Sequence, residues 1–222
     1  MHDHLEAGML HGVPHGFSTR HEPDLAALLP GAALVRVRQV HGNRVVEAAG
    51  WGSDFPEADA IVSDRSGLVL GIVTADCAPV LFADSAAGVI GAAHAGWRGA
   101  LGGVLENTIE AMVSLGARIA DIRAAIGPTI AQSSYEVDAG FRDAFAAADA
   151  RFFRRGRADH WQFDLPAYVA HRLAAAGLAS IEDLAQDTYS QPDRFHSYRR
   201  ATHRGEKTEG RQLSVIGLPA RS

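Results

Sequence analysis

The run Gly67-Leu68-Val69-Leu70-Gly71-Ile72-Val73-Thr74 is apolar at both alternating sets of positions and rich in branched side chains. A strand of that kind must be covered on both faces, so the chain needs a sheet sandwiched between other layers. Close behind come Val80-Leu81-Phe82, the turn cluster Asp84-Ser85-Ala86-Ala87-Gly88, and Val89-Ile90-Gly91-Ala92-Ala93. Two further strands follow from these, with Pro79 expected to interrupt the first before it begins. A strand that begins at 33 and ends at His41 precedes them, and a last one fits 212–218.

Helical spacing takes over after Gly96-Trp97-Arg98-Gly99. Leu101, Val104, Leu105, Thr108, Ile109, Met112 and Val113 predict one helix over 101–115, closed by Gly116. Further helices are expected over 138–150 and after Asp164, a capping residue followed by Pro166 and ended by Gly177. Linker-like composition is confined to 151–159 and 204–210. Strands that follow one another directly, mixed with strands separated by helices, specify an α+β (mixed α/β) fold. We expect mixed sheets in a layered sandwich with flanking helices, built as a single domain over residues 1–222.

A net charge of −5 gives no summed positive field for nucleic acid or an anionic membrane. No apolar run is long enough to span a bilayer, and the start of the chain lacks the pattern of a signal peptide, so a cytoplasmic protein acting on small molecules is expected. The 222 residues include one cysteine, so an internal disulfide is impossible and that residue needs another purpose.

His41, Cys77 and His94 each close an apolar strand and stand just before a turn. This arrangement brings them toward one sheet edge, where two imidazoles and a thiolate make a three-ligand zinc site with a fourth position open, as catalytic zinc requires. The other reading is a buried free thiol and two hydrogen-bonded histidines. His2, His4, His11 and His15 are expected to be solvated near the terminus.

Gln39-Val40-His41-Gly42, Ala58-Asp59-Ala60-Ile61-Val62, Thr74-Ala75-Asp76-Cys77-Ala78-Pro79, His94-Ala95-Gly96-Trp97-Arg98-Gly99, Ile126-Gly127-Pro128 with Tyr135-Glu136-Val137, and the segment 195–210 occur in that order. In these motifs the chain resembles the bacterial family labelled multicopper polyphenol oxidase, or laccase-like. Its members are also described as zinc purine nucleoside phosphorylases and as a peptidoglycan editing factor. The resemblance implies zinc, with copper the lesser alternative, at His41, Cys77 and His94. It also implies phosphorolysis of adenosine, inosine, guanosine and methylthioadenosine, and deamination of adenosine. A laccase would need several paired His-x-His motifs, and this chain has only His2-Asp3-His4. Where the family commonly has cysteines this chain has Thr129 and Asp187, and the stretch before Gln39 is much shortened.

Deamination needs a water activated at the open zinc position and a carboxyl that moves protons; Asp76 is the candidate, its alternative role being to orient the turn. Phosphorolysis needs an anion pocket, for which the planar fork of arginine is suited. Arg98 is the catalytic candidate there, and Asn43, Arg44, Tyr198, Arg199 and Arg200 are candidates for substrate binding. Competing functions are a zinc amidase acting on peptidoglycan precursors and a noncatalytic protein stabilised by its metal.

Overall fold

The protein was analysed as a computed structural model that describes residues 4–48 and 55–219. Its strands in chain order are β1 (His4–Leu5), β2 (His15–Ser18), β3 (Ala33–Arg36), β4 (Val45–Glu47), β5 (Ala60–Ser63), β6 (Leu68–Thr74) and β7 (Ala78–Asp84). They continue as β8 (Val89–Ala95), β9 (Arg123–Ile126), β10 (Glu136–Asp138), β11 (Phe153–Arg155), β12 (His160–Phe163), β13 (Ser180–Asp183) and β14 (Gln212–Gly217). The helices are α1 (Leu25–Leu28), α2 (Trp97–Gly102), α3 (Val104–Ser114), α4 (Ala139–Asp143), α5 (Leu165–Ala175) and α6 (Tyr198–Arg204).

Two sheets carry the fold, ordered β1-β2-β14-β6-β3 and β13-β9-β7-β8-β5-β4, and β10-β12-β11 forms a small third one. Both large sheets are mixed, since β3 runs parallel to β6 and β4 parallel to β5 within otherwise largely antiparallel pairings. The alternation of β6 explains the layering. Leu70 and Ile72 point into the layer between the sheets with Phe17, Ile61, Leu81, Ile90 and Ile216, while Val69 faces outward with Leu213 and Val215 against Leu25 and Leu28 of α1. The other face of the six-stranded sheet packs Val80, Phe82 and Ala93 against Leu105 and Met112 of α3 and Tyr168 and Leu173 of α5. Each such side chain, once buried, contributes about 1.5–3 kcal/mol, so the doubly apolar β6 run fits only this position between layers.

Local expectations hold where the chemistry is local. The carboxylate of Asp164 accepts the Ala167 N–H and starts α5, and Gly177 follows that helix at φ +97°. At the end of α3, Gly116 N–H bonds Val113 O and Ala117 N–H bonds Met112 O, the paired bonds of a glycine-terminated helix. Elsewhere the structure corrects the sequence. The helix expected over 101–115 starts earlier, at Trp97, and breaks at Gly103, whose φ of +95° turns α2 into α3. The helix expected over 138–150 shrinks to α4 and a 3-10 turn over 147–152. The supposed linker over 151–159 forms β11 and the turn into β12.

Pro79 lies inside β7 after all. Its carbonyl faces β9 and accepts the Gly127 N–H just beyond that strand's end, so the missing proline N–H costs only the reciprocal bond of that last rung. His94 is likewise within β8, one residue before its end. His15 is buried, with Nε2 accepting the Ala7 N–H and Nδ1 bonded to Val13 O, and is not one of a solvated group; His2 lies outside the described residues.

Gly127 shows how tightly the sheets close below the site. A Cβ there would stand 2.1 Å from Cδ1 of the fully buried Phe17 and 2.9 Å from Cγ of Pro79. Overpacking of this kind costs about 1–3 kcal/mol. Gly127→Ala should therefore lower stability by at least that amount in urea unfolding; a variant as stable as the parent would mean that the Phe17 layer is loosely packed.

Candidate metal centre

Two loops and one strand end meet at one end of the two large sheets. The first follows β3 and carries His41, the second joins β6 to β7 and carries Cys77, and the end of β8 supplies His94. One ligand atom from each lies within 4.8 Å of the others. The two imidazole rings meet edge to face with centroids 4.7 Å apart. Tetrahedral zinc asks for about 3.3–3.8 Å between its donor atoms, from bonds of about 2.0–2.3 Å, so closure takes roughly 1 Å of adjustment. His41 is exposed and is the freer of the two imidazoles, whereas His94 is buried.

The surroundings fit a metal. Asp59, fully buried, accepts His94 Nδ1 at 2.8 Å, which leaves Nε2 for the ion. The same carboxylate accepts the backbone N–H groups of Val40, His41 and Gly42, and so shapes the His41 loop. His41 sits there at φ +60°. Burial of Asp59 works against its charge, but His94 and these N–H groups outweigh it and hold its pKa below the usual carboxylate range. Gly96 closes the centre from below: a Cβ would stand 2.9 Å from Cys77 Sγ and 3.3 Å from His41 Nδ1, space that only a glycine leaves open.

Charge settles on the same atoms. Burial pushes the Cys77 thiol up, yet His94 and His41 bring it down to about 6. Burial pushes His94 down, yet Cys77 and Asp59 raise it to about 9. At neutral pH the metal-free pair is thus a thiolate beside an imidazolium, and an incoming metal takes the place of one proton. A thiolate with two imidazoles suits zinc and also copper.

A cavity of about 1050 Å³ opens over the three ligands. Of the expected residues it contains Asp76, Arg98, Tyr198 and Arg199. Arg98 is exposed, its guanidinium 4.6 Å from the Trp97 ring centroid. Arg199 donates to Glu136 O and lies 5.2 Å from the Tyr135 ring centroid. Both oxygens of the Asp76 carboxylate are hydrogen-bonded. Oδ1 accepts the Thr188 hydroxyl, and Oδ2 accepts the Ser197 hydroxyl and the Arg199 N–H, so the carboxylate staples the start of α6 to the Cys77 turn.

Three residues expected in the site are elsewhere. Asn43 donates to Gly102 O and Arg44 to Glu57 O, and both lie outside the cavity, tying down the His41 loop. Arg200 is buried with its guanidinium on the carbonyls of Thr188, Tyr189 and Phe195, because a cation without a carboxylate partner must spend its donors on the main chain. Conversely, Phe55, Tyr135, Arg36, Arg38 and Arg211 line the cavity without having been singled out. Burial and the nearby Cys77 raise the pKa of Tyr135, keeping its phenol protonated. Thr129 and Asp187, which replace cysteines of the resembled family, face each other across an isolated parallel bridge.

The sequence model of the multi-copper polyphenol oxidoreductase laccase family matches residues 19–219. The chain belongs to that family. A purine nucleoside phosphorylase of Rickettsia conorii is 40% identical to it over 187 residues, 82% of this chain and 77% of the relative. One of Deinococcus radiodurans is 42% identical over 199 residues, 89% of this chain and 76% of the relative. The crystal structure of Neisseria meningitidis protein NMB0706 superimposes with a TM-score of 0.86 at 29% identity, over 98% of this chain and 100% of the other. That of YlmD from Geobacillus stearothermophilus gives 0.85 at 25% identity, over 99% and 100%. Among the described residues this laccase-family chain holds a single group of three clustered ligands. The several copper sites of a true laccase need many more.

The Asp59 bond to His94 makes a direct prediction. Asp59→Asn removes the charge that orients the imidazole and gathers the His41 loop, so metal affinity should fall about 10–100-fold while the sheets stay folded. Competition with a chromophoric chelator, alongside circular dichroism, measures both. Unchanged affinity would show that the carboxylate serves the fold alone.

Proposed function

We propose that this protein is a zinc-dependent purine nucleoside phosphorylase that also deaminates adenosine. One observation carries the proposal: His41, Cys77 and His94 converge beneath a cavity of about 1050 Å³ whose walls combine aromatic rings with arginines, in a chain 40% identical to a named purine nucleoside phosphorylase.

The walls suit such a substrate. A purine needs flat apolar surface, and the rings of Tyr198, Phe55 and Tyr135 offer it; the first two are large aromatics left 53% and 48% exposed. The second substrate is an anion. Phosphorolysis joins a phosphate oxygen to the ribose C1′ and frees the purine from that carbon, so a cation must present phosphate beside the sugar. Arg98, four residues after His94 in the cavity wall, is our candidate for this role, with Arg199 at the start of α6 as its companion. Six-residue α2 adds little dipole of its own, so the guanidinium supplies the charge. Zinc held by the two imidazoles and the thiolate would supply Lewis acidity at an open position. Asp59 keeps His94 in the tautomer that presents Nε2, and Asp76 holds α6 so that Tyr198 and Arg199 remain in the cavity wall.

Two activities in one cavity separate by what they bind. Phosphorolysis requires phosphate, whereas deamination exchanges the C6 amino group of adenosine for an oxygen from water. Arg98→Lys keeps the charge and loses the bidentate fork, so it should reduce phosphorolysis of inosine at least tenfold while changing adenosine deamination much less. Zinc-loaded protein is assayed with inosine and phosphate for ribose 1-phosphate, and with adenosine alone for ammonia. Absence of both products from the parent protein, with cleavage of a peptidoglycan precursor instead, would overturn the proposal in favour of an amidase.

A further inference from the structure

A second pocket, of about 330 Å³, lies against α6 on a different face from the metal cavity. Arg199 lines the metal cavity, whereas Ser197, Arg200, Ala201 and Arg204, spaced along one helical stripe, line the second pocket. Tyr198 belongs to both. Arg20, distant in sequence, completes the wall by donating from Nη1 to Pro192 O at 2.7 Å. The His196 ring engages the Arg20 main chain, and a Cβ on Gly210 would stand 2.1 Å from that ring, so the 195–210 segment closes tightly on it.

The charge there is lopsided. Arg20, Arg200, Arg204 and Lys207 meet only Asp193 and Glu206. Arg200 is buried and anchored entirely by neutral carbonyls. Among the described residues the one ion pair within the pocket is a long one, Arg204 to Glu206 at 3.7 Å, on exposed side chains. Burial, together with Arg204 and Arg20 nearby and offset in part by Asp76, presses the Arg200 pKa downward, the sign of cations crowded without enough counter-charge. Gathering guanidiniums around a small polar hollow is costly unless an anion completes it, and their planar forks match phosphoryl oxygens.

We propose that this pocket binds a phosphate-type oxyanion, either inorganic phosphate or the phosphoryl group of a sugar phosphate, separately from the metal cavity. Its occupant bridges Arg20, the 192–196 turn and the Arg204–Lys207 loop, and so braces the helix that presents Tyr198 and Arg199 to the metal cavity.

The test is calorimetric titration of zinc-loaded protein without nucleoside, first with inorganic phosphate and then with ribose 5-phosphate. An Arg98→Lys background weakens phosphate binding in the metal cavity, and the pocket's own variants assign what remains. Saturable binding is expected, and tighter binding of ribose 5-phosphate than of phosphate identifies the sugar phosphate as the ligand. Lys207→Glu and Arg204→Glu, on the exposed end of α6 and its following loop, should each weaken binding at least tenfold with an unchanged melting temperature. Absence of saturable binding by either compound, or full affinity in both variants, overturns the proposal. With no nucleoside present, the result is independent of the reaction carried out in the metal cavity.

Discussion

The buried carboxylate of Asp59 is the contact on which the rest of the site depends. Among the described residues its one cationic partner is His94, and it satisfies its oxygens with three backbone N–H groups and one imidazole N–H. Removing a charge from water costs several kcal/mol unless such donors replace it, so the loop that supplies three of them is held in one shape. That shape puts His41 at φ +60° and aims it toward Cys77. Two ligands that are far apart along the chain therefore take their positions from one side chain at the foot of β5.

Strain collects on the opposite loop. Asp76 adopts φ +85°, a conformation that a side-chain-bearing residue rarely tolerates and that costs on the order of 1–3 kcal/mol. Bonds to Thr188, Ser197 and Arg199 offset it, and the Asp76 carbonyl accepts the Ile130 N–H and the Thr129 hydroxyl. The strained turn delivers Cys77 beside the histidines, and its bonds fix α6 in the cavity wall. The three candidate ligands and the cavity wall are thus held by two acidic residues that lie outside the ligand cluster.

Much of this was legible before any coordinates. The doubly apolar run of β6 demanded a layered sheet, and three chemistry-bearing residues near strand ends pointed to one site, although His41 lies in the loop beyond β3 and His94 just inside the end of β8. What escaped the sequence is tertiary. Asp59 sits between two alanines in an apolar stretch, and a charge in such surroundings is the one visible hint that it must be buried and paired. Asn43 and Arg44 follow His41 in sequence, but the left-handed turn at His41 sends them outward to α2 and to Glu57. Arg200 carries the same charge as Arg199, yet one step around α6 moves it from the metal cavity into a cage of carbonyls. The helical spacing over 101–115 runs straight across Gly103, and only its positive φ shows two helices in place of one.

The central claim is that one thiolate and two imidazoles hold a single zinc, and X-ray absorption at the zinc edge on the metal-loaded protein tests it most directly. The account predicts one sulfur at about 2.3 Å and two imidazole nitrogens at about 2.0–2.1 Å, with the sulfur shell lost in Cys77→Ser. A zinc spectrum with no sulfur neighbour in the parent protein, or one unchanged by Cys77→Ser, would contradict it.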